Sequence, residues 1–188
     1  AGVVTVTGTA ESNDTDADSL PATLSVIVLD GTLSSTNLCA TGNSVTVVAD
    51  YTEGNYKPAN TCDGNTNTYW SDWVSGGRSA NSLTYSLGAS RQISSVTVTS
   101  TERAPQAVTV KYLDDAGQWV ATSAGQASGL TTSAPTTVSF DPVSTTRVRV
   151  ELVENYYAKI SEVAINTHAA ASDVATLAAL RLGATSVE

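Results

Sequence analysis

Reactive side chains are scarce in this chain. It holds two cysteines, Cys39 and Cys62, and a single histidine, His168. A Cys/His metal centre or a histidine-activated nucleophile is nearly excluded on those numbers. The two thiols suit a disulfide in an exported chain; the alternative is two buried free thiols. Acids are more plentiful, with 18 Asp and Glu against 9 Lys and Arg and a formal net charge of −9. Nucleic acid needs a basic face for its phosphates and is a poor partner for such a surface. A divalent cation or a neutral ligand fits better. The most suggestive acid is Asp63, followed by Gly64 and, a few residues on, by Thr68. A carboxylate, a turn that aims carbonyls inward and a hydroxyl are oxygen donors of the kind Ca²⁺ collects, about six to eight at a time. The alternative is an Asp-Gly turn closed by its own hydrogen bonds.

No arrangement for catalysis stands out. There is no Gly-x-Ser-x-Gly run, no nucleophile paired with His and no zinc spacing. Asp114 and Asp115 are adjacent, but in a tight turn they point apart. A glycosidase pair such as Asp72 and Glu102 depends on a carboxylate separation that sequence does not give. The expectation is a non-catalytic module.

The elements that position these residues read as β-structure. The chain of 188 residues is 41% hydrophobic but only 14% charged. Its surface is therefore coated with Thr, Ser, Asn and Gly, a composition typical of extracellular β proteins. Short strand patterns recur at Val45–Val48, Leu83–Leu87, Ile93–Thr99, Val108–Leu113, Trp119–Ala121, Thr137–Phe140, Arg147–Leu152 and Ile160–Ile165. Val148, Val150 and Leu152 alternate with Arg147, Arg149 and Glu151, one face apolar and one charged. Asp114–Gly117 separates two strands as a hairpin turn. Many short strands with turn signals imply a sandwich or barrel.

The flanks differ in character. Residues 1–33 hold the strand patterns Val3–Thr7 and Thr23–Leu29 around an acidic loop, Glu11–Ser19. Two strands do not make a stable domain, so this segment must pair with something else. Residues 168–188 open on a linker of small residues, followed by Val174–Leu182. That run is either a short helix capped by Ser172 and ended by Gly183, or a strand with Leu180 and Leu182 inward. There is no apolar run of transmembrane length and no signal peptide. Ala1 begins inside a strand-like pattern, so the chain is expected to be a fragment whose export signal lies elsewhere.

The stretch Asn55-Tyr-Lys-Pro-Ala-Asn-Thr-Cys-Asp63-Gly-Asn-Thr-Asn-Thr68-Tyr-Trp70-Ser-Asp-Trp73 closely resembles the opening of discoidin-like domains, the coagulation-factor C type, and of carbohydrate-binding module family 32. Asp63, Gly64, Thr68 and Trp70 keep the family's spacing. Leu83–Gly88, Ile93–Val98, Val108–Tyr112 with Asp115 and Trp119, Arg147–Leu152 and Ile160–Ile165 follow in the family's order, so the resemblance covers about residues 36–166. It implies an all-β, jelly-roll, galactose-binding-like β-sandwich over residues 34–167. The segments 1–33 and 168–188 resemble parts of bacterial immunoglobulin-like repeats, which favours a strand for Ala175–Leu182. The whole then resembles a piece of a multimodular bacterial glycoside hydrolase, secreted or on the cell surface.

The resemblance also implies ligands. A structural Ca²⁺ would take Asp63, Thr68 and Glu162 from the last strand, with carbonyls from Asn60, Asn65 and Val163. A disulfide between Cys39 and Cys62 would tie the chain entering the sandwich to this loop. The partner would be a glycan, a terminal galactose-type or arabinose-type sugar, bound by a monomer with no membrane insertion. It would sit on loops 71–80, 101–106 and 153–159, among Asp72, Trp73 and Arg78, Glu102 and Arg103, and Glu154, Asn155, Tyr156 and Tyr157. Sugar C–H faces match an aromatic ring, and hydroxyls need paired donors and acceptors. Each residue also has a plainer role: Trp70 as core, Trp73 as cover for a core edge, Glu102 and Arg103 as an exposed ion pair. Only one of Tyr156 and Tyr157 can face inward on an extended strand. Galactose-binding members place a histidine in this site. His168 lies in the linker and does not supply it.

Overall fold

In the computed structural model the described residues are 35–40 and 44–168, within one compact unit, Ser35–His168. The strands expected at Val3–Thr7, Thr23–Leu29 and Ala175–Leu182 lie outside the described residues.

Seven strands appear: β1 (Thr46–Ala49), β2 (Trp70–Ser71), β3 (Arg78–Ser100), β4 (Ala107–Leu113), β5 (Trp119–Ser128), β6 (Thr136–Tyr156) and β7 (Lys159–Thr167). A short 3₁₀ turn, Pro58–Cys62, precedes β2. All the pairings are antiparallel. The first half of β3 pairs with β1 and with the second half of β6, which continues through β4 to β5. The second half of β3 pairs with β7 and with the first half of β6, and β7 with β2. Two long strands thus pass from one layer of a jelly-roll sandwich into the other.

This corrects the sequence reading on one point. Leu83–Leu87 and Ile93–Thr99 belong to one strand, and so do Thr137–Phe140 and Arg147–Leu152. The apparent breaks are bends. The β3–β6 register shifts between Ser86 and Arg91. Gly88 sits there with φ of 75°, and a Cβ on it would press the Ser44 carbonyl at 3.4 Å. On β6, Pro142 falls at a second irregularity, where a missing N–H costs no ladder bond.

The alternating residues fill the space between layers. Leu83, Tyr85, Val108, Val110, Val148 and Val150 are fully buried from one side, and Ile93, Val96, Ile160, Val163 and Ile165 from the other. Burying each side chain of this size contributes about 1.5–3 kcal/mol. Trp70 is core, fully buried, with its indole N–H donating to Thr52 Oγ1 at 3.1 Å. The Tyr85 hydroxyl meets Thr61 Oγ1 at 2.9 Å, and burial drives its pKa up. Cys39 and Cys62 form a disulfide. It fixes the incoming segment, which also bonds to β7 through Leu38 N to Ile165 O at 2.8 Å. The hairpin at Asp114–Gly117 forms as read, with Asp114 N donating to Gln118 O at 3.0 Å.

Candidate functional site

Two loop clusters carry the polar chemistry. The first is the turn after the 3₁₀ segment. Gly64 takes φ of 73°, a conformation that suits glycine. Asp63 Oδ1 accepts from Asn65 N at 2.9 Å, and Thr68 Oγ1 lies 2.7 Å from Asp63 Oδ2 and 2.8 Å from Asn65 O. Glu162, far along the chain on β7, reaches the same turn and accepts from Gly64 N at 3.1 Å through Oε2. Its other oxygen, Oε1, is buried with no hydrogen-bond partner. Burial first, then the charge of Asp63, push the Glu162 carboxyl up to about 7, against donation from backbone N–H groups of Gly64, Asn65 and Val163. Two carboxylates face each other here around an orphaned oxygen, and a hard cation answers both faults. Among the described residues no group of three or more His, Cys, Asp or Glu gathers around a metal position, so a cation here would have two carboxylates and otherwise hydroxyl and carbonyl oxygens. Asn60 uses its side-chain amide to hold Tyr69 O at 2.9 Å, which leaves its carbonyl as the donor it could offer.

The second cluster lies where the loops after β1, β2, β3 and β6 meet. Ser71 Oγ donates to Glu53 Oε2 at 2.5 Å and Glu53 N to Ser71 O at 2.8 Å, which join the first two loops. Arg103 donates to Asn155 O at 2.6 Å, and its guanidinium lies 5.0 Å from the centre of the Tyr157 ring and 5.9 Å from that of Tyr156. Lys159 pairs with Glu102 and sits over the Tyr69 ring at 4.7 Å, and Tyr69 stacks on Tyr56 at 4.8 Å. Burial pulls the Lys159 ammonium down, yet Glu102 and Tyr69 hold it above its usual value. Between these groups lies a shallow pocket of about 150 Å³ lined by Glu53, Tyr56, Trp73, Tyr157 and Lys159. Trp73 is 42% exposed and Tyr156 41%. Among the described residues the two non-glycine residues with positive φ, Glu102 at 53° and Tyr156 at 108°, both belong to these loops. Backbone held this way is costly and concentrates at functional sites. The Tyr156 ring fits because Gly77 has no Cβ for it to strike.

The structure sorts the residues read from sequence. Trp73, Tyr157, Arg103 and Asn155 come together at the loop end, with Glu102 beside them through Lys159. Tyr156 is the exposed tyrosine of its pair. Glu102 and Arg103 are not an ion pair with each other; Glu102 takes Lys159 instead. Asp72 and Glu154 are corrections, since both are buried and neither presents a carboxylate to a ligand. Asp72 instead accepts from Ala158 N and from Asn81 Nδ2, each at 2.8 Å, and so joins the loops from beneath. Arg78 lies half-buried with its guanidinium 4.3 Å from the Tyr51 ring centre. Glu53, Tyr56 and Lys159 were missed. Tyr56 stood inside the quoted motif, where an exposed aromatic among Gly, Asn and Lys is a signal; Lys159 reads only as the head of a strand.

Comparison with known proteins agrees with this architecture. The F5/8 type C domain family matches residues 40–164. A family 32 carbohydrate-binding module of NanJ from Clostridium perfringens, solved with galactose, is 22% identical, with a TM-score of 0.58 over 65% of this chain and 93% of that one. The family 32 module of AlyQ, solved with 4,5-unsaturated mannuronic acid, is 26% identical, with a TM-score of 0.53 over 64% and 92%. A family 29 fucosidase from Ruminococcus gnavus, solved with fucose, is 20% identical, with a TM-score of 0.57 over 71% of this chain but 27% of the enzyme. No curated protein sequence matches the chain. The fold, the ordered strand motifs and the family match together make this chain a discoidin-like protein, a member of the F5/8 type C domain family.

Proposed function

We propose that the chain is a non-catalytic carbohydrate-binding module that takes a neutral terminal sugar at the loop end. The observation that carries this is the pocket of Glu53, Tyr56, Trp73, Tyr157 and Lys159. Its rings offer apolar faces for sugar C–H groups. Glu53 accepts from hydroxyls and Lys159 donates to them. The pocket lining carries one acid, Glu53, and one base, Lys159. A carboxylate ligand would meet Glu53 and an ammonium would meet Lys159, so a neutral sugar suits it best. The family 32 relative solved with galactose supports a neutral sugar, and the one solved with an unsaturated uronic acid supports only the broader class of a glycan partner.

Asp63, Thr68 and Glu162, with carbonyls of Asn60, Asn65 and Val163, are the residues that would hold a structural Ca²⁺. The ion would neutralise the facing carboxylates and staple the turn to β7, away from the sugar. The match to part of a fucosidase, together with the disulfide, supports an extracellular module attached to a glycoside hydrolase. No helix among the described residues is long and apolar enough to cross a membrane.

A site this shallow predicts dissociation constants of about 0.1–1 mM, or roughly 4–5.5 kcal/mol. Tryptophan fluorescence is expected to shift on titration with galactose-type or arabinose-type sugars, and Trp73→Ala to abolish the shift. Silence across a broad glycan screen at millimolar concentration would overturn the sugar reading and leave a spacer or adhesion role.

A further inference from the structure

Beneath the loops that line the pocket, two carboxyl groups are buried within interaction range of each other. Asp72 is fully buried and Glu154 is 5% exposed. Both oxygens of Asp72 are committed, Oδ1 to Ala158 N and Oδ2 to Asn81 Nδ2. Neither oxygen of Glu154 meets any donor. The charged groups that act on Glu154 are Asp72, on the loop after β2, and Arg78, at the head of β3. Arg78 lies over Tyr51, and the ion pairs of the described residues are Lys111–Glu151, Arg149–Asp50 and Lys159–Glu102, none of them at this cluster. Two ionised carboxylates do not share a buried site without a paired cation. A proton on Glu154 resolves the conflict, because the carboxylic acid then donates to Asp72, the one strong acceptor beside it.

We propose that Asp72 and Glu154 share one proton, and that this proton latches the Trp73 loop to the Tyr156–Tyr157 loop and so positions the walls of the pocket. The role at the pocket rests on the sugar-binding reading; the latch itself does not. Asp72 directly precedes Trp73, and its backbone partner Ala158 directly follows Tyr157. Glu154 stands two residues before Tyr156. Ionising Glu154 puts two negative charges against each other where the Asp72 side chain ties the two loops, beside the backbone bond from Asp72 N to Ala158 O at 3.4 Å.

The direction of the pH effect follows. Burial, then the hydrogen bond and the charge of Asp72, push the Glu154 carboxyl from its ordinary 4.5 up to about 9, against the pull of Arg78. The folded state binds this proton more tightly than the unfolded state does. The resulting stability is fully present below the ordinary carboxyl range and is lost as pH climbs through that window to about 9. The latch therefore holds at neutral pH and opens in alkali.

The test is a carboxyl ¹³C titration of the sugar-free protein, with the exchange protection of the Ala158 amide followed over the same pH range. Glu154 is expected to titrate far above the carboxylate range, and Ala158 protection to fall with it. Glu154→Gln keeps a side-chain donor but does not titrate, so its Ala158 protection stays level. A Glu154 that titrates with ordinary carboxylates overturns the proposal, as does a protection loss equal in Glu154→Gln. If that variant does not fold, the titration of the native chain decides alone. Galactose is the probe for the pocket: its affinity is expected to weaken in alkali with a slope approaching about tenfold per pH unit, and not in Glu154→Gln. Galactose that fails to bind at any pH counts against the sugar reading, while the two sugar-free measurements still judge the latch.

Discussion

The two loop clusters solve opposite problems. The Asp63 turn is closed on itself: its hydrogen bonds run within a few residues, one carboxylate arrives from β7, and the disulfide clamps the adjoining 3₁₀ segment. The ligand end is assembled from four loops far apart in sequence. It keeps aromatic surface exposed, two residues in costly backbone conformations and a buried carboxyl pair that makes no ion pair. The difference teaches where stability and function reside. One corner is built to hold, and the other tolerates exposed rings and strain because the sandwich beneath it is rigid.

If that contrast is right, damage to the first corner should unfold the domain and damage to the second should chiefly alter binding. The largest effect is expected from the disulfide. The bridge closes a loop with a sequence separation of 23. Replacing Cys39 and Cys62 by Ser should cost about 3 kcal/mol, measured by urea denaturation, with the sugar site unchanged in the folded fraction. Removing Ca²⁺ comes next. With the ion at a hundredfold excess over its dissociation constant, chelation should cost about 2.7 kcal/mol and lower Tm. Asp63→Ala should melt at one temperature with or without chelator.

A smaller effect, on stability and binding together, is expected at the ligand end from Gly77→Ala. Gly77 has φ of 75° and lies against the Tyr156 ring. The backbone strain should cost about 1–2 kcal/mol, and sugar affinity should fall because Tyr156 is displaced. Calorimetry and a sugar titration on the same sample separate the two. The smallest effect is expected from Asp50→Ala on the outer face. Its pair with Arg149 is long, at 3.4 Å, and Asp50 is 59% exposed. The lost ion pair should cost within about 0.2–1 kcal/mol and the lost bond from Ser82 Oγ to Asp50 Oδ2, at 2.7 Å, about 1 kcal/mol more, with no change in binding.

The same contrast explains what could be read from sequence. The Asp63 turn was legible because Asp63, Gly64 and Thr68 sit within six residues at fixed spacing, and Glu162 was placed beside it by the family resemblance. The core was legible because Val148, Val150 and Leu152 alternate. The long strands were not, because Gly88 and Pro142 look like stops when they mark bends. The ligand end was read in part. Trp73 and Arg103 stand in loops that sequence order identifies. Glu53 and Lys159 enter only through pairings between distant segments, Glu53 with Ser71 and Lys159 with Glu102 and Tyr69. Asp72 and Glu154 misled for a related reason. Polar residues in loops look exposed, and only the tertiary structure shows that Asn81 and Ala158 draw Asp72 inward.

The most direct test is a ¹H–¹⁵N titration of the protein, in buffer containing Ca²⁺, with galactose-type sugars at millimolar concentration. The expected result is a saturating shift of the Trp73 indole and of the amides of Glu53, Tyr157 and Lys159. The Asp63–Thr68 turn and the outer face around Arg149 should stay still. Saturating shifts confined to the turn or the outer face, with the Trp73 indole unmoved, would contradict the account.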